Sequence, residues 1–213
     1  MVCLQLLIHC ICLLWNENAK GLDEPTAQFF HHNVANLLFL CKRACRDIQT
    51  AVAFLCTIEK CPDVDDYKKL TRVMKYLWNM ENLPLVLEAE NLNTAEWWVN
   101  ASFAVHPNMH SHTGCLMMLG SGAVYASSNK QKLITHSSTE AELVGVYDAM
   151  PQILWTLKIL AAQGFDNSGS IIHQDNQSDM LLEKHCKSSS SKHTRHIDLR
   201  YYYIGDFVTG KEV

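Results

Sequence analysis

The sequence has little charge, little proline and no excess of basic residues. Charged residues make up 19% of its 213 residues and hydrophobic residues 48%, which is typical of a globular protein and not of a disordered tail. The formal net charge is −4, which argues against a chain that is strongly basic overall and binds nucleic acid through that charge. A local basic surface is not excluded, because phosphate contacts depend on where Lys and Arg cluster.

Signals for a zinc site and for a membrane span are also missing. The nine cysteines form no CxxC pair, and Cys41 and Cys45, the nearest approach to one, have no second pair to complete a zinc site. We interpret the cysteines as buried or half-buried thiols of a reducing compartment. No apolar run reaches the roughly 20 residues that a spanning helix needs.

The most apolar segment is residues 1–15, MVCLQLLIHCICLLW. It lacks the basic start of a signal peptide and precedes a poor cleavage site, NENAKG. A buried helix, or sequence upstream of the true domain, is favoured over a signal or an anchor. The segment stays unassigned.

Residues 16–82 are predicted to be a helical unit. Pro25 suits the first turn of one helix, and Asp47 and Asp63 can cap two more. The third helix carries one apolar stripe, formed by Val64, Tyr67, Leu70, Met74 and Leu77. We expect this unit to pack outside the remaining chain, because so short a segment offers no second core.

From residue 83 onward the pattern favours strands. Segments with strand-like composition are LPLVLEA, AEWWVNASFAV, TGCLMMLG and AVYASSNKQ, and residues 120–122, GSG, suit a hairpin turn. Trp97 and Trp98 are adjacent on one strand, so one of them should face the core and the other should not.

A long helix is predicted next, from Ser137 to about Gly164, with Ser137 and Glu140 as a capping box. Pro151 should kink it or divide it in two. A strand follows at residues 170–175, then a helix at about 176–184 and a last helical segment, IDLRYYYIGDFVTG. This order predicts a mixed α/β fold in which the fourth strand lies parallel beside the first.

Three polar positions converge on one edge of such a sheet. They are Asn100 in the first strand, Glu142 in the first turns of the long helix, and Asp175 at the end of the fourth strand. Carboxylate and amide oxygens are the ligands that Mg²⁺ prefers, and paired ions suit phosphodiester cleavage. For Asp175 the alternative role is a plain helix cap.

Several segments in the same order resemble one family. STEAELVG, QDNQSDMLLEKH, SSSSKHTRHIDLRYYYI and WWVNASFAVHPNMHSHTG resemble the ribonuclease H domain of copia-type retrotransposon Pol polyproteins. NLLFLCKRACRDIQTAVAFLCT and PDVDDYKKLTRVMKYLW resemble the end of the reverse transcriptase that precedes it. The resemblance covers residues 16–213. It implies a ribonuclease H-like mixed sheet over residues 83–213, truncated at its C-terminus, behind an N-terminal helical segment.

The resemblance also implies roles for individual residues. The helix glutamate of the family falls on Glu142 and the fourth-strand aspartate on Asp175, as ligands of Mg²⁺ or Mn²⁺. Asn100 stands where the family has an aspartate, and a fourth acid, from an Ala-Asp pair after a further strand, has no counterpart. Asp198 is not expected to replace it. We therefore expect weak or single-site metal binding, where an intact relative holds two ions, and impaired or absent catalysis.

Two further clusters have competing interpretations. In KHCKSSSSKHTRH, the basic residues Lys184, Lys187, Lys192 and Arg195 form either a solvated loop or an edge that contacts the phosphates of a hybrid duplex. The histidines of HPNMHSH, which are His106, His110 and His112, suit a surface hairpin loop better than a zinc site.

The functional alternatives are a ribonuclease H-type endonuclease and a module that binds nucleic acid without cutting it, either a remnant or a domesticated protein. Integrases share this fold, but their acids follow the order Asp, Asp, Glu, whereas here the glutamate precedes the fourth strand. No Tyr-x-Asp-Asp polymerase sequence is present. The expected partners are an RNA–DNA hybrid and the remaining parts of the Pol polyprotein, which include its reverse transcriptase and integrase. No membrane partner is expected. The expected location is intracellular: cytoplasm, virus-like particle or nucleus.

Overall fold

A computed structural model of the chain describes residues 16, 18–82, 84–89, 93–165, 169–174 and 195–210. The helices are α1 (Glu24–Arg43), a 3₁₀ turn (Arg46–Ile48), α2 (Gln49–Thr57), α3 (Val64–Asn79), α4 (Ser138–Ala162) and α5 (Arg195–Thr209). The strands are β1 (Ala95–Ser102), β2 (His112–Met118), β3 (Ala123–Lys130) and β4 (Ser170–His173). Within these described ranges, the helices are all too short or too polar to cross a membrane.

Local capping signals fix most helix starts in the N-terminal part. Pro25 lies in the first turn of α1. The Asp63 carboxylate accepts a hydrogen bond from the Asp66 N–H at 2.8 Å, and the Asp66 carboxylate accepts one from the Asp63 N–H at 3.2 Å. The predicted cap at Asp47 is wrong, because a 3₁₀ turn leads into α2 and the Asp47 carboxylate accepts a hydrogen bond from the Tyr76 hydroxyl instead.

Helices α1 to α3 enclose a core of their own. Its buried residues are Phe30, Val34, Leu37, Cys41, Ile48, Ala51, Val52, Leu55, Leu70 and Val73. The expectation that this segment has no second core is therefore wrong: three short helices with the connecting 3₁₀ turn supply enough apolar surface to one another. The predicted stripe of α3 is correct at Leu70, but Val64 and Met74 are exposed and Val73 is buried in their place.

The sheet has the predicted topology. Its four strands run in the order β3-β2-β1-β4. β1 pairs antiparallel with β2 and parallel with β4, where Trp97 lies opposite Ile172 and Trp98 opposite His173. The mixed sheet behind an N-terminal helical segment confirms the predicted fold class.

Residues 84–89 do not form the predicted strand. Only Ala89 makes a bridge, to Gly120, and Leu85, Val86 and Leu87 are exposed. They lie against the β2–β3 turn instead, where the Ser121 N–H donates a hydrogen bond to the Glu88 carbonyl at 3.0 Å.

α4 covers one face of the sheet. The fully buried Trp97 and its neighbours Ala95 and Val99 pack against the buried face of α4 and against Ile204 of α5. Trp98 points to the other face and stacks on the His173 ring, with centroids 4.6 Å apart, which confirms the prediction for the tryptophan pair. Pro151 does not divide α4, since it lies on the exposed side where water can reach the carbonyl that loses its partner.

The N-terminal helices meet the sheet over the loop before β2. α2 packs on β3, and the Phe54 ring stacks on His106 with centroids 5.1 Å apart. His106 and His112 are only 2% exposed each, and their rings share a hydrogen bond of 3.0 Å between Nε2 and Nδ1. The surface-loop prediction is wrong for these two histidines, because α2 covers the loop.

Because His106 and His112 are buried, we expect the free energy of unfolding to depend on pH. Burial lowers the pKa of His106 to about 3 and that of His112 to about 4. Between these values and the ordinary histidine pKa of about 6.5, both side chains are neutral in the folded chain and protonated in the unfolded chain. Stability is therefore greatest above pH ~6.5 and falls as the pH drops from there towards 4, by about 1.4 kcal/mol for each pKa unit of one group. Urea unfolding at several pH values measures this slope.

The matched variants are His106→Gln and His32→Gln, since His32 is exposed on α1. His106→Gln should flatten the loss of stability between pH 6.5 and 4, and His32→Gln should leave it unchanged. Equal slopes in the parent chain and both variants would contradict the prediction.

The approach of α4 to the sheet leaves little room for a side chain at Gly145. A Cβ placed there would lie 3.2 Å from Thr113 Cγ2 and 3.6 Å from Val99 Cγ1. Gly145→Val should destabilise the chain by about 1–3 kcal/mol through overpacking. Gly21→Val is the control, because nothing lies within 4 Å of a Cβ at Gly21. A Gly145→Val variant as stable to urea as the control would refute this account of the contact.

Candidate metal and nucleic-acid site

The start of α4 separates the roles of two glutamates. The Ser137 hydroxyl accepts a hydrogen bond from the Glu140 N–H at 3.2 Å, and the Glu140 carboxylate accepts one from the His136 N–H at 2.7 Å. Glu140 thus caps the helix, as predicted, although its carboxylate binds the residue before Ser137. Glu142 lies two residues further on, on the buried side of the same turns.

Glu142 reaches the backbone of β1. Its carboxylate is 5% exposed, and Oε2 accepts a hydrogen bond from the Ala101 N–H at 2.8 Å. A buried carboxylate is costly to desolvate, and a charge-assisted bond from a backbone N–H offsets part of that cost. The bond fixes the Glu142 carboxylate beside the strand position that carries Asn100.

Asn100 lies next to this bond, on the other pleat of β1. The buried positions of β1 alternate, with Val99 and Ala101 turned to the α4 side and Asn100 half-buried between them. Its backbone pairs with Gly114 of β2. The structure therefore brings Glu142 to the β1 segment that the sequence singled out. The pocket shared by the side chains of Asn100, Glu142 and Asp175 stays a prediction.

Other predicted site residues lie outside the described residues. These are Asp175, Lys184, Lys187 and Lys192, and the side chain of Arg195 at the start of α5 also lies outside them. β4 is described as far as His173, which pairs with Trp98. The predicted helix at 176–184 is outside the described ranges as well.

The described side chains include ligand types that a hard cation binds, but too few of them to complete a metal site. Glu142 supplies a carboxylate and Asn100 an amide oxygen, which are ligand types that Mg²⁺ accepts. Over the described ranges, no group of three or more His, Cys, Asp or Glu side chains is placed to hold a metal ion. A site at this edge therefore needs Asp175 in addition.

The sequence interpretation missed Gln131, which follows β3. This side chain is 2% exposed, and its amide nitrogen donates to the Thr113 hydroxyl at 2.8 Å and to the Ala141 carbonyl at 2.7 Å. A glutamine in a polar loop gives no sequence signal, because its partners are 18 and 10 residues away.

Comparison with known proteins places the chain by sequence. No protein-family model matches it. It is 32% identical over 101 residues, 47% of the chain, to the retrovirus-related Pol polyprotein from transposon TNT 1-94 of Nicotiana tabacum. It is 29% and 28% identical over 162 residues, 74% of the chain, to the corresponding polyproteins from transposons RE2 and RE1 of Arabidopsis thaliana.

A solved structure of RNase H1 from the halophilic archaeon Halobacterium salinarum NRC-1 aligns with 53% of this chain and 77% of that chain at 15% identity. Its TM-score of 0.32 is too low to support an argument about the fold. The chain spans 8% of the TNT 1-94 polyprotein and 11% of the RE1 and RE2 polyproteins. The alignments confirm the predicted resemblance: this chain is similar in sequence to the retrovirus-related Pol polyproteins of plant transposons.

Proposed function

We propose that the chain is a segment of a copia-type Pol polyprotein in which the helical end of a reverse transcriptase precedes a ribonuclease H-like domain. The ancestral reaction is metal-dependent hydrolysis of the RNA strand in an RNA–DNA hybrid. The observation that carries this proposal is the buried Glu142 carboxylate, bonded to the Ala101 N–H next to Asn100, in a sheet whose fourth strand runs parallel to its first.

In this proposal Glu142 and Asp175 hold Mg²⁺ or Mn²⁺, and Asn100 offers a neutral amide oxygen in place of the aspartate of the family. Bound divalent ions supply an activated water and offset the charge that develops on the phosphate. The Ala101 N–H orients the Glu142 carboxylate, and β1 carries Asn100 at the adjacent position. Asp175 directly follows Gln174, which is the first residue after β4 and the last described one in this part of the chain.

The asparagine weakens this site electrostatically. An amide oxygen brings no negative charge, and one unit charge about 4 Å from an ion contributes roughly 4 kcal/mol at an effective dielectric of about 20. That free energy corresponds to about a thousandfold in rate if it is expressed fully in the transition state. We therefore propose that this chain binds metal weakly and cleaves little.

The second candidate function is binding of a hybrid duplex without cleavage. It is favoured by Asn100, which occupies the position where the resemblance implies an aspartate that would take part in cleavage. The contacts would come from Lys184, Lys187, Lys192 and Arg195, which can neutralise phosphates whatever the state of the metal site. The remaining parts of the polyprotein are the proposed protein partners.

The cleavage prediction is tested with a fluorescent RNA–DNA hybrid in Mg²⁺. The unmodified chain should cleave it little or not at all, and Asn100→Asp should strengthen Mg²⁺ or Mn²⁺ binding measured by calorimetry because it restores a charge. Any turnover gained by Asn100→Asp should disappear on adding Asp175→Asn. Efficient cleavage by the unmodified chain that is lost in Glu142→Gln would overturn the proposed impairment.

The binding prediction is tested by the salt dependence of hybrid affinity. Replacing Lys184, Lys187, Lys192 and Arg195 together by Ala should weaken binding and reduce the slope of log K against log [salt] by about 0.9 for each lost phosphate contact. The control replaces Lys68 and Lys75 of α3, which lie in the N-terminal helical unit. An unchanged slope in the first variant would show that these residues do not contact the phosphates.

A further inference from the structure

Gln131 connects three parts of the fold that surround Glu142. Its backbone N–H donates to the Ser111 carbonyl at 2.8 Å, and its own carbonyl lies 2.7 Å from His110 Nδ1. Its side-chain amide nitrogen binds Thr113 of β2 and the Ala141 carbonyl in the first turn of α4. One residue thus joins the loop after β3, the second strand and the start of the long helix.

The chemistry of these partners fixes the orientation of the amide. The Ala141 carbonyl can only accept a hydrogen bond, so the nitrogen of Gln131, and not its oxygen, must face it. Both amide hydrogens are then used, one on Ala141 and one on Thr113. Gln131 Oε1 is buried and has no hydrogen-bond partner among the described residues. The side chain therefore keeps this place although its oxygen is left unsatisfied.

The contacts of Gln131 form a closed ring with the Glu142 bond. Ala141 precedes Glu142 in α4, Glu142 binds the Ala101 N–H, and Ala101 lies opposite Thr113 in the β1–β2 register. Thr113 in turn accepts from Gln131. Rotation or sliding of α4 on the sheet would strain this ring at more than one bond.

We propose that Gln131 is a positioning residue for Glu142. It holds the first turn of α4 at a fixed distance from β2, and thereby holds the Glu142 carboxylate on the Ala101 N–H. A site whose ligand is displaced by a fraction of an ångström loses much of its function, so a rigid support behind a ligand matters as much as the ligand type. The relevance of this support to metal binding rests on the proposed function; the support of the carboxylate itself does not.

The test compares two glutamines in the full chain. Gln131→Met keeps the length and volume of the side chain and removes its hydrogen bonds. Gln49→Met is the matched control, because Gln49 is also buried and its Oε1 also lacks a partner, but it lies in α2. Amide hydrogen exchange and the ¹H–¹⁵N shift of Ala101 are measured by NMR, with Glu142→Gln as the reference for an altered acceptor.

Gln131→Met should accelerate exchange of the Ala101 amide about tenfold, which is the effect of losing one hydrogen bond of ordinary net strength, and should shift its signal towards that of Glu142→Gln. Gln49→Met should leave the Ala101 signal unchanged, and any loss of global stability that it causes should accelerate exchange of the core amides together and not of Ala101 in particular. If Gln131→Met does not fold, Thr113→Val removes a single acceptor and should move the Ala101 signal in the same direction. An unmoved Ala101 signal in a folded Gln131→Met or Thr113→Val variant would overturn the proposal.

Mn²⁺ alone separates this proposal from the proposed function. Paramagnetic broadening around Glu142 in the parent chain, and an apparent Mn²⁺ affinity several-fold weaker in Gln131→Met than in Gln49→Met, would support both. No broadening in the parent chain would count against the metal site, whereas the Ala101 readout would still decide whether Gln131 positions the carboxylate.

Discussion

The hydrogen bond between the Glu142 carboxylate and the Ala101 N–H ties the longest helix to the central strand. The carboxylate is buried, so it needs a strong donor, and a backbone N–H next to the strand end supplies one. The close approach of α4 at Gly145 brings the helix near enough for a glutamate to reach that N–H. Gln131 then holds the helix start against β2. These contacts together hold the Glu142 carboxylate in place on β1.

The described residues form two hydrophobic cores, and several polar side chains lie at the boundary between them. One core lies between the sheet, α4 and α5, and the other lies among α1, α2 and α3. Between them, Phe54 stacks on His106, and the Lys69 ammonium lies 5.3 Å from the centroid of the Phe54 ring. The Lys69 ammonium is also 2.9 Å from the Asp66 carboxylate. Buried polar groups at such a boundary must satisfy one another, which explains why the two histidines share a hydrogen bond.

The similarity to Pol polyproteins and the geometry at Glu142 are separate observations that support the same proposed function. The sequence comparison gives similarity over up to 74% of the chain but covers only 8% to 11% of each similar polyprotein. The structure gives a buried carboxylate beside β1. If Asn100 belongs to the proposed site, its amide keeps an oxygen donor but brings no negative charge to a bound ion.

Much of the local structure could be predicted from the sequence, because it depends on residues only a few positions apart. Pro25, the Asp63–Asp66 box, the Ser137 cap and the positive φ of Gly164 at 88° each act within one turn, and the alternation at Trp97 and Trp98 acts within one strand. The order of strands and helix also predicted the sheet topology. Glu142 was singled out as an acid in the first turns of the predicted helix, a few residues after the Ser137 cap.

Only the tertiary structure decided which of these local patterns found a partner. Residues 84–89 have a strand-like sequence but meet the β2–β3 turn by a single bridge, and Asp47 contacts Tyr76 instead of capping a helix. His106 and His112 have the sequence of a surface loop, yet α2 covers them. The bond from Ala101 to Glu142 spans 41 residues, and Gln131 has no local signature at all. In each case a contact between distant segments determines the outcome, and the sequence alone does not specify which segments meet.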